Sequence, residues 1–199
     1  MIFASERNRP DIVEKRRLWA AKKLGMDPRN IVFIDEFANK TNTTREYGWG
    51  PKNERLVDHV PYSHWITMTA IYGLRHDGVV APYVVDGAMN REKFLDYLEK
   101  VLCPTLRTED IVVCDNLSVH QGPEVRALIE AVGATLEFLP AYSPDENPIE
   151  KSISKLKSII AKLAIRTIDR LKNFLHNAAE LFTPTECCNY FKHAGYCSR

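Results

Sequence analysis

The chain has 199 residues, a formal net charge of +1, and 45% apolar and 27% charged residues, which suits one sizeable globular domain with a small appendage. The near-neutral balance means that any nucleic-acid role must rest on a local patch, and no apolar run approaches membrane length. The five cysteines, Cys103, Cys114, Cys187, Cys188 and Cys197, show no zinc spacing, and no apolar signal region opens the chain, so reduced thiols and a cytoplasmic location are expected.

Residues 1–30 are polar and read as a leader or linker with one helix, capped by Asp11 and ended by Gly25. IVFID (31–35) is a β-branched apolar run that ends in an acid, the pattern of a buried strand delivering Asp35 at its C-terminal end. Residues 39–63 are turn-rich. Runs 64–73 and 79–87 flank RHDG, with Asp77-Gly78 as a hairpin signal between antiparallel strands. Asn90 caps a helix ahead of Pro104. IVVCD (111–115) repeats the strand-plus-acid pattern, Pro123 opens a helix ending at Gly133, and 135–139 form a fifth strand. A helix begins near residue 148, Thr167 caps another, and Thr183-Pro184 starts a last one. This order predicts an α/β fold: one mixed five-stranded sheet flanked by helices on both faces.

Three acids stand out by position. Asp35 and Asp115 end buried-type strands, and Glu150 sits in a first helical turn, where Asn147 is a good N-cap and Pro148 suits the first helical position. The proline-rich LPAYSPDENPIE (139–150) stops a strand, turns the chain and fixes the helix that carries Glu150. An acid in a first turn also gains from the helix dipole alone. Gathered at the strand ends, three carboxylates can hold two hard divalent ions about 3.5–4 Å apart, a pair that activates a nucleophile and stabilises the leaving oxygen of a phosphodiester.

FIDE (33–36), TREYGWGPKNERL (44–56), CDNLSVHQGPEVR (114–126), LPAYSPDENPIEKSISKLK (139–157) and TPTECCNYFKHAGY (183–196) together resemble the catalytic core of IS630-type transposases of the Tc1/mariner superfamily. Thirty-four residues separate Asp115 from Glu150, the spacing of that group. The resemblance implies a ribonuclease-H-like core over 31–172, after a linker at 1–30 and before a helical tail at 173–199. It implies two Mg²⁺ or Mn²⁺ ions on Asp35, Asp115 and Glu150, DNA hydrolysis at the element's ends, and strand transfer by the freed 3′-hydroxyl. It implies transposon-end and target DNA as partners, a homodimer on DNA, and no membrane. It further implies helix-turn-helix domains ahead of the core, for which residues 1–30 leave no room, so a catalytically silent remnant that binds DNA or inhibits a full-length relative is the alternative. Phe37, Glu146 and Ile153 depart from the family's usual residues, and Glu146 adds negative charge beside Asp145.

In the family's DNxxxH pattern, Asn116 and His120 recur near the site, holding a ligand in place or meeting the substrate phosphate; a loop or capping histidine is the plainer reading. Residues 151–172 hold seven basic residues and one acid. At about 100° per residue, Lys151, Lys155, Lys162 and Arg166 form one stripe, while Ile153, Leu156, Ile160 and Leu163 form another that packs on the sheet. Lys157 shares the edge with Glu150 and Ser154. These cations read as phosphate contacts, against a solvated helix face. Arg45, Tyr47 and Trp49 in the loop after the first strand either contact DNA or anchor a turn. No phosphate-cradling glycine loop or G-x-S-x-G elbow is present, which argues against nucleotide hydrolysis and serine catalysis.

Overall fold

The computed structural model describes residues 4–44, 47–57, 59 and 64–197. Strands β1 (Ile31–Lys40), β2 (Thr67–Arg75), β3 (Gly78–Asp86), β4 (Ile111–Cys114) and β5 (Thr135–Phe138) form one sheet in the order β3-β2-β1-β4-β5. The β3-β2-β1 ribbon is antiparallel and β1-β4-β5 is parallel, so the expected mixed five-stranded sheet is present. Helices α1 (Pro10–Lys23), α2 (Arg91–Tyr97), α3 (Pro123–Ala131), α4 (Ile149–Leu163), α5 (Ile168–His176) and α6 (Pro184–His193) cover it.

Side-chain alternation divides the layers. Ile31, Phe33 and Phe37 point into one core with Ile149, Ile153, Leu156, Leu171 and Phe191, while Val32 and Ile34 point into a second with Phe94, Tyr97, Val125 and Ile129. So α1, α4, α5 and α6 lie on one face, and α2 and α3 on the other. Asn90, Thr167 and Thr183 cap their helices as expected, each side chain accepting from a backbone N–H three residues on, at 2.9, 3.3 and 3.2 Å. Arg75 and Asp110 form a buried two-pronged ion pair (3.0 and 2.5 Å) that ties the end of β2 to the start of β4.

Several expectations are corrected. The first strand does not end at Asp35: β1 continues to Lys40 because β2 pairs with it from Phe33 through Lys40. The hairpin turn is His76-Asp77, with Gly78 already in β3. Asp11 is not a cap; it lies in the first turn of α1 and accepts from the Arg9 guanidinium at 3.1 and 3.0 Å. Nor is α1 a leader outside the core. Trp19 is 5% exposed and donates its indole N–H to the Tyr196 hydroxyl at 3.0 Å. The two helices expected on either side of Thr167 are present, but the stripes drawn through Leu163 and Arg166 overrun the first of them, because Ala164 takes a left-handed φ of 48° and ends α4. Leu163 is consequently half-exposed, and the buried face uses Ser152 instead, bonded to the Tyr72 hydroxyl at 2.7 Å. All five cysteines are free thiols, and among the described residues no helix is long and apolar enough to cross a membrane.

Candidate active site

β1 and β4 run parallel, and their connections leave to opposite sides, which opens a crevice beyond their carboxyl ends. Pairing with β4 stops at Phe33, so Asp35 lies two residues past it, on the face covered by α4. Asp115 follows the last residue of β4. Glu150 lies in the first turn of α4, its position fixed by the Pro144–Glu146 turn and Pro148. All three carboxylates line one pocket of about 310 Å³, with Asn116, Asn147 and the 139–144 turn. Tyr142 in that turn holds a left-handed φ of 57°, a strained conformation for a bulky residue.

Asp35 is the electrostatic centre. Its Oδ1 accepts from the Glu36 backbone N–H at 2.8 Å and its Oδ2 from the Asn147 side-chain amide at 3.0 Å. Burial, then the nearby charges of Glu150 and Asp115, push its carboxyl from 3.8 up to about 7. Asn147 therefore does not cap α4 with its side chain; it orients Asp35, and its Oδ1 is buried without a partner.

Asp115 is held from the other face of the sheet. His120, 1% exposed, packs with its ring tilted against Phe94 (4.6 Å between centroids) and bridges Asp115 Oδ1 at 2.6 Å and Glu36 Oε2 at 2.9 Å. Burial alone would lower the imidazole pKa, but the hydrogen bonds to Asp115 and Glu36 outweigh it and raise it to about 9. At neutral pH both ring nitrogens carry protons and donate. Glu36 is the participant that sequence reasoning missed. Its neighbour Asp35 drew the attention, and only strand alternation, which sends residue 36 to the His120 face, signals its part. Asn116 lines the pocket and accepts from the Gln121 amide at 2.6 Å.

The negative side is balanced elsewhere. Asp145 receives Arg16 (2.8 Å) and Arg7 (2.9 Å), and Glu146 receives Lys23 at 2.5 Å, all from the N-terminal segment. The extra charge of Glu146 is thus paired, Phe37 is buried against Tyr72 (6.4 Å), and Ile153 is core.

Of the basic residues, Lys151, Lys157 and Lys162 are exposed on α4, and Lys151 lines a second cleft with Glu150, Tyr190 and His193. Lys155 is instead bound to Glu186 (2.7 and 2.8 Å) and the Leu181 carbonyl (2.6 Å). Arg166 lies beyond the helix end and donates to the Thr41 and Thr43 carbonyls. The single stripe of four cations is therefore not formed, because α4 ends first. Arg45 lies outside the described residues, and neighbouring Tyr47 and Trp49 are exposed.

Among the described residues, no three His, Cys, Asp or Glu side chains close around one point tightly enough to ligate an ion. The donor set nevertheless fits a cation. A buried carboxylate is destabilised by two like charges, and an unpartnered amide oxygen adjoins it, so what the pocket lacks is positive charge.

Sheet order and pocket together define a ribonuclease-H-like domain with an acidic site where the paired part of β1 and β4 ends, Asp35 lying within β1 and Asp115 just after β4. A family model described as DDE superfamily endonuclease matches residues 30–172, and the chain belongs to that family. Among solved structures it is similar to a pre-cleavage Mos1 transpososome (TM-score 0.75, 14% identity, 98% of this chain and 62% of that one). It is likewise similar to the Mos1 mariner paired-end complex with Mn (0.73, 15%, 98% and 61%). The catalytic domain of Mos1 mariner transposase also matches (0.67, 15%, 98% and 92%). This chain thus spans about 60% of the length of the chains in those transposase–end complexes. A comparison with curated proteins finds no match.

Proposed function

We propose that this chain is the catalytic portion of a transposase that hydrolyses DNA at the ends of a mobile element and joins the freed 3′-hydroxyl to target DNA. The observation that carries the reading is the convergence on Asp35: burial and two flanking carboxylates hold it at about 7, in the wall of one pocket. Asp35, Asp115 and Glu150 would hold Mg²⁺ or Mn²⁺, two ions per site. Bound there, the ions supply Lewis acidity: a more acidic attacking water or hydroxyl, and a neutralised leaving oxygen. The mariner neighbours include a complex with Mn and one with Mg, which supports divalent ions here.

The protein's own contribution is positioning. Asn147 fixes the rotamer of Asp35, and Glu36 through His120 fixes that of Asp115. In hydrolysis, water oxygen bonds to phosphorus, the P–O3′ bond breaks, and a 3′-hydroxyl and 5′-phosphate remain. In joining, the oxygen of that hydroxyl bonds to a target phosphorus, the target P–O3′ bond breaks and leaves a target 3′-hydroxyl that takes up the proton, and no covalent protein–DNA intermediate forms. Lys151 adjoins Glu150 on α4, with Lys157 about two turns further along and Lys162 in the last turn, and these exposed cations meet the backbone. Two ends require two copies, so the active form is a homodimer on DNA.

Titration calorimetry of Mn²⁺ into the wild type beside Asp115→Ala, with supercoiled-plasmid nicking in parallel, tests this. Wild-type binding and nicking that both disappear in the variant support it. Equal binding in the two proteins, with no nicking by the wild type even when DNA is present, leaves the silent remnant.

A further inference from the structure

Beside the carboxylate pocket lies a second groove of about 350 Å³ with a basic wall, and that wall is α1, outside the residues of the family match. Lys15, Leu18 and Lys22 share one helical face and line it, with Glu137 opposite. Asn116, Leu139, Pro140 and Ala141 line both this groove and the carboxylate pocket, so the two adjoin.

We propose that this groove is a path for the DNA strand, in which Lys15 and Lys22 contact backbone phosphates flanking the phosphodiester at Asp35, Asp115 and Glu150. The inference rests on the DNA-cleaving reading above. Three observations carry it. The first is division of labour on α1. Arg16 and Lys23 face inward to Asp145 and Glu146, and Arg17 pairs with Glu14 at 2.8 Å on an exposed side. Lys15 and Lys22 are the lysines left facing the groove. The second is rigidity. Trp19 is buried between them in sequence and hydrogen-bonded, so both ammonium groups rise from a fixed helix. The third is charge. A pocket of three carboxylates repels a polyanion, and a strand reaching it must be held by cations at its margin. Lys22 now pairs with Glu137 at 2.5 Å, but the two side chains are 49% and 28% exposed, so exchanging that carboxylate for a phosphate costs little.

The test measures binding of a labelled DNA duplex by fluorescence anisotropy in EDTA, across salt from roughly 50 to 200 mM. Lys15→Ala/Lys22→Ala should lower the slope of log affinity against log salt by about two, one per lost phosphate contact. Glu137→Gln should tighten binding. Lys100→Ala/Arg126→Ala, on the opposite layer, should leave the slope unchanged. All these positions are exposed or half-exposed, and unchanged thermal unfolding verifies the fold of each variant. Equal slopes for the Lys15/Lys22 variant and the wild type, while the wild type nicks plasmid with Mn²⁺, overturn the groove alone. A slope change without wild-type nicking keeps the DNA path and removes the cleavage reading. A wild type that binds no DNA overturns both.

Discussion

At the residue scale, the site depends on groups that touch the acids. Asn147 has two amide ends with different fates: Nδ2 binds Asp35 at 3.0 Å, and Oδ1 is buried without a partner. A side chain kept only for stability does not leave a buried acceptor unmet. Asn147→Ala should therefore reduce Mn²⁺ affinity about tenfold, as loss of an outer partner does, with little change in unfolding free energy. If Asn147 served as a helix cap, the loss would be about 1 kcal/mol of stability with affinity intact. His120→Ala should do both. It strips Asp115 and Glu36 of a charged donor, costing about 2 kcal/mol in denaturant unfolding, and lets Asp115 swing, lowering Mn²⁺ affinity about 10–100-fold. Unchanged affinity would reduce His120 to packing against Phe94.

At the element scale, what was legible is what local chemistry writes. Asn90, Thr167 and Thr183 announce helix starts because their side chains satisfy N–H groups three residues away. The apolar runs at 31–34 and 111–114 announce strands because both faces are covered. Asp35, Asp115 and Glu150 were legible because each follows such a signal, and they do line one pocket. Illegible features depend on long-range partners. Nothing within 31–40 says that the strand runs on past Asp35, because its continuation is set by β2, over thirty residues later. Lys155 reads as a free cation until α6 supplies Glu186. The weak amphipathic pattern of α1 hid its docking, which rests on one tryptophan and on ion pairs to Asp145 and Glu146. Trp19→Ala should therefore cost about 3–5 kcal/mol in urea unfolding, as large-to-small core changes do. A loss below 1 kcal/mol would mean that α1 is dispensable to the fold.

At the scale of the whole molecule, the acidic pocket and the fold pull against each other, and pH exposes the conflict. Asp35 titrates at about 7 in the folded protein against 3.8 ordinarily. Between those values the native state holds a proton that the unfolded chain has released, so metal-free stability falls as pH rises, by up to about 1.4 kcal/mol per unit. His120, raised from 6.5 to about 9, adds stability below 6.5 that is lost as pH climbs through 9, which is the same direction. Asp145 and Glu186 are shifted down, so their contributions are complete above the ordinary carboxylate range and do not oppose this trend near neutrality. The metal-free Tm should thus decline steadily from pH 5 to 9. Asp35→Asn should flatten the part below pH 7 and leave the rest, which belongs to His120. Adding Mn²⁺ at pH 8 should restore the wild type, since a cation that binds only the native state at a hundred times its Kd contributes about 2.7 kcal/mol, and it should not restore Asp35→Asn. A metal-free Tm that is flat or rises between pH 5 and 7, or an equal Mn²⁺ response in the two proteins, would show that the three carboxylates do not share one electrostatic site. The fold would then hold Asp35 for packing, not for a cation.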